Sequence, residues 1–162
     1  MKISIRRATR NDLPLLVDFN RQMALETEGK PLNLNKLRLG TEAVFQNPNL
    51  GFYLVAERGE SVAGQLMITY EWSDWRNARM WWIQSVFIHP EARGLGIYRR
   101  LHNHVLDLAK RDNACGVRLY VDRSNAVAQK VYEKCGMSRS HYDLFELDLE
   151  AETGNPKRGL ED

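Results

Sequence analysis

The chain has 162 residues, 43% of them hydrophobic, which suits one globular domain built around a single core. Lys and Arg number 23 against 21 Asp and Glu, a formal net charge of +2. Such a balance offers no overall field to favour nucleic acid or a membrane surface as partner, and no uncharged apolar run is long enough to span a bilayer.

The residues from Met1 to Arg7 are basic but lack the apolar stretch of a secretory signal. Cys115 and Cys135 are too few for a disulfide framework and lack metal-ligand spacing, so no metal is expected. Both read as free thiols in a reducing, cytoplasmic setting.

Ile3 and Ile5 alternate with polar residues, as in a short first strand. Thr9-Arg10-Asn11-Asp12 fits a capping box, and Leu13, Leu16, Asn20 and Met23 behind it share one helical face. That helix should fade near Gly29-Lys30-Pro31. A weaker helix is expected over roughly residues 34–45, stopped by Asn47-Pro48-Asn49. Three extended segments follow: Phe52 to Ala56, Val62 to Glu71 and Met80 to Ile88. Turn residues 58–61 and 73–77 separate them, which predicts an antiparallel meander.

Ile97, Leu101, Val105 and Leu108 recur at helical spacing. Val117, Leu119 and Val121 alternate in a further strand. Ser124 is placed to cap a short helix carrying Ala128, Val131, Tyr132 and Cys135, ended by Gly136. Phe145, Leu147 and Leu149 alternate in a last strand. One domain over 1–150 and a polar tail over 151–162 are therefore expected.

The chemistry concentrates where the third strand of the meander meets the next helix, at His89-Pro90-Glu91-Ala92-Arg93-Gly94-Leu95-Gly96. The first N–H groups of a helix lack internal partners, and the helix dipole adds positive potential, so an anion such as a pyrophosphate fits there. Gly94 and Gly96 allow close backbone approach, and Arg93, Arg99 and Arg100 could add charge. Alone, the loop is equally an ordinary strand-to-helix turn; it is neither a P-loop nor a full dinucleotide fingerprint.

Downstream, Asn125, Ala128, Tyr132, Gly136 and Met137 form N-x-x-A-x-x-x-Y-x-x-x-G-M. Together with R-x-x-G-x at Arg93 to Ile97, this resembles the GNAT superfamily of N-acetyltransferases. The order of elements is similar over most of the chain. One position departs: Tyr98 stands where the family usually has Gly or Ala, and so large a side chain must point away from the pyrophosphate or replace some of its contacts.

The resemblance implies an α/β (α+β) fold, with a mixed, mainly antiparallel sheet flanked by about four helices. A splayed strand pair would hold acetyl-CoA. Backbone groups at Val86, Phe87 and Ile88 would meet pantetheine. Arg93, Gly94, Leu95, Gly96, Ile97 and Tyr98 would meet the phosphates, with Asn125 and Tyr132 beside the cosubstrate. It also implies transfer of the acetyl group to a primary amine in a ternary complex, with Tyr132 as general acid: a phenol near ~10 can protonate a thiolate near ~8.5 at modest cost. The usual strand Glu is replaced by Gln84, which cannot take a proton. Glu71 and Asp74 are base candidates by proximity only, and Glu71 is carried forward; His89 and His102 fall on the cofactor side.

For the acceptor, Trp72, Trp75, Trp81 and Trp82 crowd one hairpin, either as an aromatic wall for a cation or as ordinary sheet packing. Glu26, Glu28 and Glu71 could attract an amine. The expected binding set is Glu26, Glu28, Trp72, Trp75 and Gln84, with a small-molecule amine as acceptor. Protein Lys or N-terminal acetylation, and a non-catalytic acyl-CoA sensor, are the alternatives. A homodimer could form through the sheet edge or the last strand.

Overall fold

The computed structural model describes residues 2–150; the expected polar tail over 151–162 lies outside the described residues. Strands β1 (Ile3–Arg7), β2 (Phe52–Arg58), β3 (Ser61–Ser73), β4 (Ala78–Ile88) and β5 (Gly116–Leu119) form one sheet in the order β1-β2-β3-β4-β5. All neighbours are antiparallel except β4 and β5, which run parallel. The helices are α1 (Leu13–Glu28), α2 (Leu34–Gln46), α3 (Ile97–Arg111) and α4 (Ala126–Lys134). The meander and all four helices match the sequence expectation.

Alternation along β2 decides which helix covers which face. Phe52, Leu54 and Ala56 join a core with Leu66, Ile68, Trp81, Ile83 and the apolar stripe of α3. Tyr53 and Val55 point the other way, into a second core with Leu16 of α1 and Val44 and Phe45 of α2. Strand β2 is buried on both sides and therefore reads as a continuous apolar run.

The capping box opens the first helical segment: the Asp12 carboxylate accepts from the Thr9 N–H at 2.6 Å. Arg6 donates to the same carboxylate at 2.8 and 2.9 Å, holding Asp12 down at about 2 from an ordinary 3.8.

Two expectations need correction. Ser124 does not cap α4. Its N–H and hydroxyl both donate to Asp122, and Asn125 is the cap, its side-chain oxygen accepting from the Ala128 N–H at 3.0 Å. Nor is there a strand over 145–149 among the described residues. Phe145, Leu147 and Leu149 are strongly exposed, because no ladder is formed by this segment to hold their backbone in a sheet.

Two irregularities shape the site. Strands β4 and β5 pair from Met80 opposite Gly116 to Ile83 opposite Leu119, so among the described residues β4 beyond Ile83 has no paired strand on that side. At the same point β4 bulges against β3: Gln84 faces Met67 and Phe87 faces Gln65, leaving Ser85 and Val86 opposite Leu66 alone. Ser85 takes a left-handed backbone, φ +50.

Candidate active site

The parting of β4 from β5 and the start of α3 lie at the two ends of one short segment. After Ile88 the chain makes a single 3₁₀ turn over Pro90–Ala92, then passes through Gly94 (φ +80) and Gly96 (φ +73). A Cβ at either glycine would meet nothing within 4 Å, so the backbone there lies open. The first helical bond runs from the Arg100 N–H to the Gly96 carbonyl at 3.2 Å. The N–H groups of the preceding turn are thereby left for another acceptor. This arrangement fits a pyrophosphate at the end of the β4–β5 gap.

Arg93 is held from two sides. It donates to the Ile88 carbonyl at 3.0 Å and to Glu26 of α1 at 2.6 Å. Glu26 thus serves as partner to the loop rather than as a free attractor of amines. Ile97 is buried in the α3-side core. Leu95 is half exposed, and Val86 and Ile88 rest against that same core. Phe87 turns to the opposite face and packs on Phe19 at 4.8 Å.

Tyr98 points away from the loop's open side. It is buried, with its ring edge-on to Tyr132 at 5.3 Å and its hydroxyl 3.4 Å from His102 Nδ1. Burial pushes the Tyr98 phenol far up and the His102 imidazole down. Both are therefore neutral packing groups joining α3 to α4, and Tyr98 packs edge-on against the ring of Tyr132. Tyr132 is half buried, and burial raises its phenol too, which keeps its proton in place. Asn125 orders the start of the same helix.

On the other face of the sheet, α1, α2 and the strands border an open cavity of about 410 Å³. Its wall includes Asn20 and Met23 of α1, Thr41 and Val44 of α2, Tyr53, Met67, Thr69 and the bulge residue Ser85. A polar network forms its floor. Buried Gln65 donates to the Asn20 carbonyl at 2.8 Å and to the Ser85 carbonyl at 3.3 Å. Asn20 donates to the Tyr53 hydroxyl at 3.3 Å. Gln65 Oε1 has no hydrogen-bond partner among the described residues. Gln84 donates to Thr69 at 2.6 Å and so orders this same wall.

The remaining candidates lie elsewhere. Glu71 is exposed, paired with Arg118 at 3.0 Å, and opposite Met80. Five residues separate Met80 from Ser85, roughly 17 Å along a strand. Asp74 sits in the turn beyond, where it accepts from the Trp75 N–H. Trp72 and Trp75 are 61% and 92% exposed, so no aromatic wall is built from them. Trp81 is a core residue edge-on to Phe52 and Tyr70, and Trp82 packs on Tyr120. Glu28 is exposed at the end of α1.

Sequence reasoning missed Gln65, Tyr53, Thr41, Thr69 and Ser85. The available signal was Asn20, a polar residue inside the apolar stripe of α1. Among the described residues no group of three or more His, Cys, Asp and Glu could hold a metal ion, and no helix is long and apolar enough to cross a membrane.

Residues 18–137 match the model of the acetyltransferase (GNAT) family. Mycothiol acetyltransferase from Kocuria rhizophila is 34% identical over 63 residues, which is 39% of this chain and 21% of that protein. The match thus spans about a fifth of the relative's length. The crystal structure of a possible acetyltransferase from Clostridium difficile 630 superposes with a TM-score of 0.85 at 38% identity, covering 92% of this chain and 99% of that one. A predicted acetyltransferase from Clostridium acetobutylicum, solved with acetyl-CoA, gives 0.75 at 21% identity, covering 93% and 98%.

Proposed function

Since the chain belongs to the GNAT family and is an acetyl-CoA-dependent acetyltransferase, we propose that it acetylates the primary amine of a small molecule bound in the cavity between α1, α2 and the sheet. One observation carries this reading: Ser85 is both a wall of that cavity and the bulge at which β4 leaves β5. An amine in the cavity and a thioester in the gap would meet there. The cavity's size falls in the range of small-ligand sites.

In this reading the amine nitrogen attacks the thioester carbonyl directly and the C–S bond breaks. The proton lost by nitrogen is balanced by one gained by sulfur, so the products are an amide and free CoA. Neither cysteine lines the cavity, which favours direct attack over an acyl-enzyme. The bulge breaks the β3–β4 register at Ser85 and Val86, and a backbone N–H turned into the gap there would stabilise the developing oxyanion. Tyr132 would protonate the leaving thiolate, held in place by Tyr98. Glu71 and Asp74 are set aside as bases, because neither reaches the bulge.

Tyr132→Phe keeps the edge-on ring contact and removes only the proton. It should lower kcat about a hundredfold with little change in the KM for acetyl-CoA. Unchanged turnover would remove Tyr132 from the chemistry. Acetyl-CoA binding without amine-dependent CoA release would instead support the sensor.

A further inference from the structure

Resting on the acetyl-transfer reading above, we propose that the acceptor is a weakly basic primary amine carried on an uncharged, largely apolar body. The cavity that would receive it is bounded by Met23, Leu37, Val44, Leu50 and Met67, and its polar lining consists of neutral groups only. The single titratable lining residue is Tyr53. Burial raises that phenol, so it stays protonated and cannot take a proton from an ammonium.

Three carboxylates of α1 and β3 are paired with cations. Glu26 pairs with Arg93 at 2.6 Å, Glu71 with Arg118 at 3.0 Å, and Asp18 with Arg21 at 2.7 Å. Gln84, which donates to Thr69 of the lining, can neither deprotonate an ammonium nor balance its charge. The lining therefore presents apolar surface and hydrogen-bonding dipoles, with no carboxylate, imidazole or ammonium among the residues that form it.

Two physical consequences select the acceptor. A cation entering such a site loses hydration with no opposite charge in return. In addition, attack requires the neutral amine, and with no protein base the neutral form must come from solution. An alkylamine with pKa near ~10.4 is about 0.1% neutral at pH 7.4, whereas an α-amine near ~7.8 is about 30% neutral. The second has roughly a several-hundredfold larger reactive fraction. Apolar walls then hold an apolar body, and Asn20, Thr41 and Thr69 offer hydrogen bonds that orient it.

The test uses the full chain and three acceptors: phenylalanine amide, 2-phenylethylamine and spermidine. CoA release is followed at pH 7.5 and 9.5. Phenylalanine amide should have the highest kcat/KM at pH 7.5, by about a hundredfold over phenylethylamine, and the gap should narrow to within tenfold at pH 9.5. Spermidine should be the poorest at both. Equal or better use of phenylethylamine or spermidine at pH 7.5 overturns the proposal but leaves the acetyl-transfer reading standing. No CoA release from any amine, with acetyl-CoA binding intact by calorimetry, overturns both. Leu37→Glu supplies an independent arm, since it places a carboxylate at the cavity edge on α2. It should raise the spermidine-to-phenylalanine-amide ratio at least tenfold; an unchanged ratio places the acceptor outside this cavity.

Discussion

Replacing Asn20 by leucine isolates the polar floor of the cavity. The substitution keeps side-chain size on an apolar stripe but removes the 2.8 Å bond from Gln65 and the 3.3 Å bond to Tyr53. Tyr53 retains Thr41 and Ser85 as neighbours and loses little. Gln65, fully buried, keeps only the long bond to Ser85, and stranding its amide should cost about 1–3 kcal/mol. Added apolar burial returns roughly 1 kcal/mol, so the net loss is up to about 2 kcal/mol, or up to ~8 °C in Tm. Urea and thermal unfolding measure it. Asn20→Asp extends the argument through pH. Its carboxylate would be desolvated among neutral partners, so its folded pKa would stand above the unfolded value of ~3.9. Relative to wild type, this variant should match best below that pH and weaken as pH rises through the raised value. A leucine variant clearly more stable than wild type, or an aspartate deficit constant from pH 4 to 8, would refute the account of the floor.

Gly96→Ala meets no steric obstacle but must hold φ +73, which costs about 1–2 kcal/mol. Its Cβ would stand beside the open backbone, so the KM for acetyl-CoA should rise at least tenfold in steady-state assays; an unchanged KM would separate the loop from the cosubstrate. Asp12, held at about 2 by Arg6 and the Thr9 N–H, contributes stability that is present above ~4 and lost as pH falls toward 2. Asp12→Asn should therefore cost about 1–2 kcal/mol at pH 7 and show a flatter acid limb in unfolding titrations. Gly51 has φ +145, and a Cβ there would land on the Ile68 carbonyl. Gly51→Ala should lower stability by about 3 kcal/mol or more in urea unfolding.

Elements whose burial follows a simple period were legible in the sequence. The apolar stripe of α3, the doubly buried run of β2 and the Asn47-Pro48-Asn49 stop all carried local signals. The Arg93 to Gly96 loop and Tyr132 were readable because a resemblance connected them. Tyr98 was flagged as atypical, and its inward turn onto His102 depends on α4, which is distant in sequence. The cavity was not legible, because Gln65, Tyr53 and Ser85 come from three strands and converge only through sheet register. Trp72 and Trp75 misled for the complementary reason: hydrophobic type in a hairpin tip says little about which end of the sheet holds the site. The alternation of Phe145, Leu147 and Leu149 described a strand-like pattern whose pairing the described residues do not supply.

The β4 bulge separates folding from chemistry at the level of a single codon. Without Ser85, Gln84 would still face Met67, Val86 would fall opposite Leu66, and Phe87 and Ile88 would keep Gln65 and Gly64. Trp81, Ile83, Val86 and Ile88 would remain on the α3 face, and Phe87 would remain against Phe19. The apolar core therefore does not need the added residue, which serves the polar network through Gln65 and Tyr53, and a left-handed serine is a mild burden on the fold. A chain lacking that codon would keep this register, but in the proposed reading its cavity wall and cosubstrate gap would no longer meet. In that reading, a chain that folds and a chain that also brings amine and thioester together differ by this one residue.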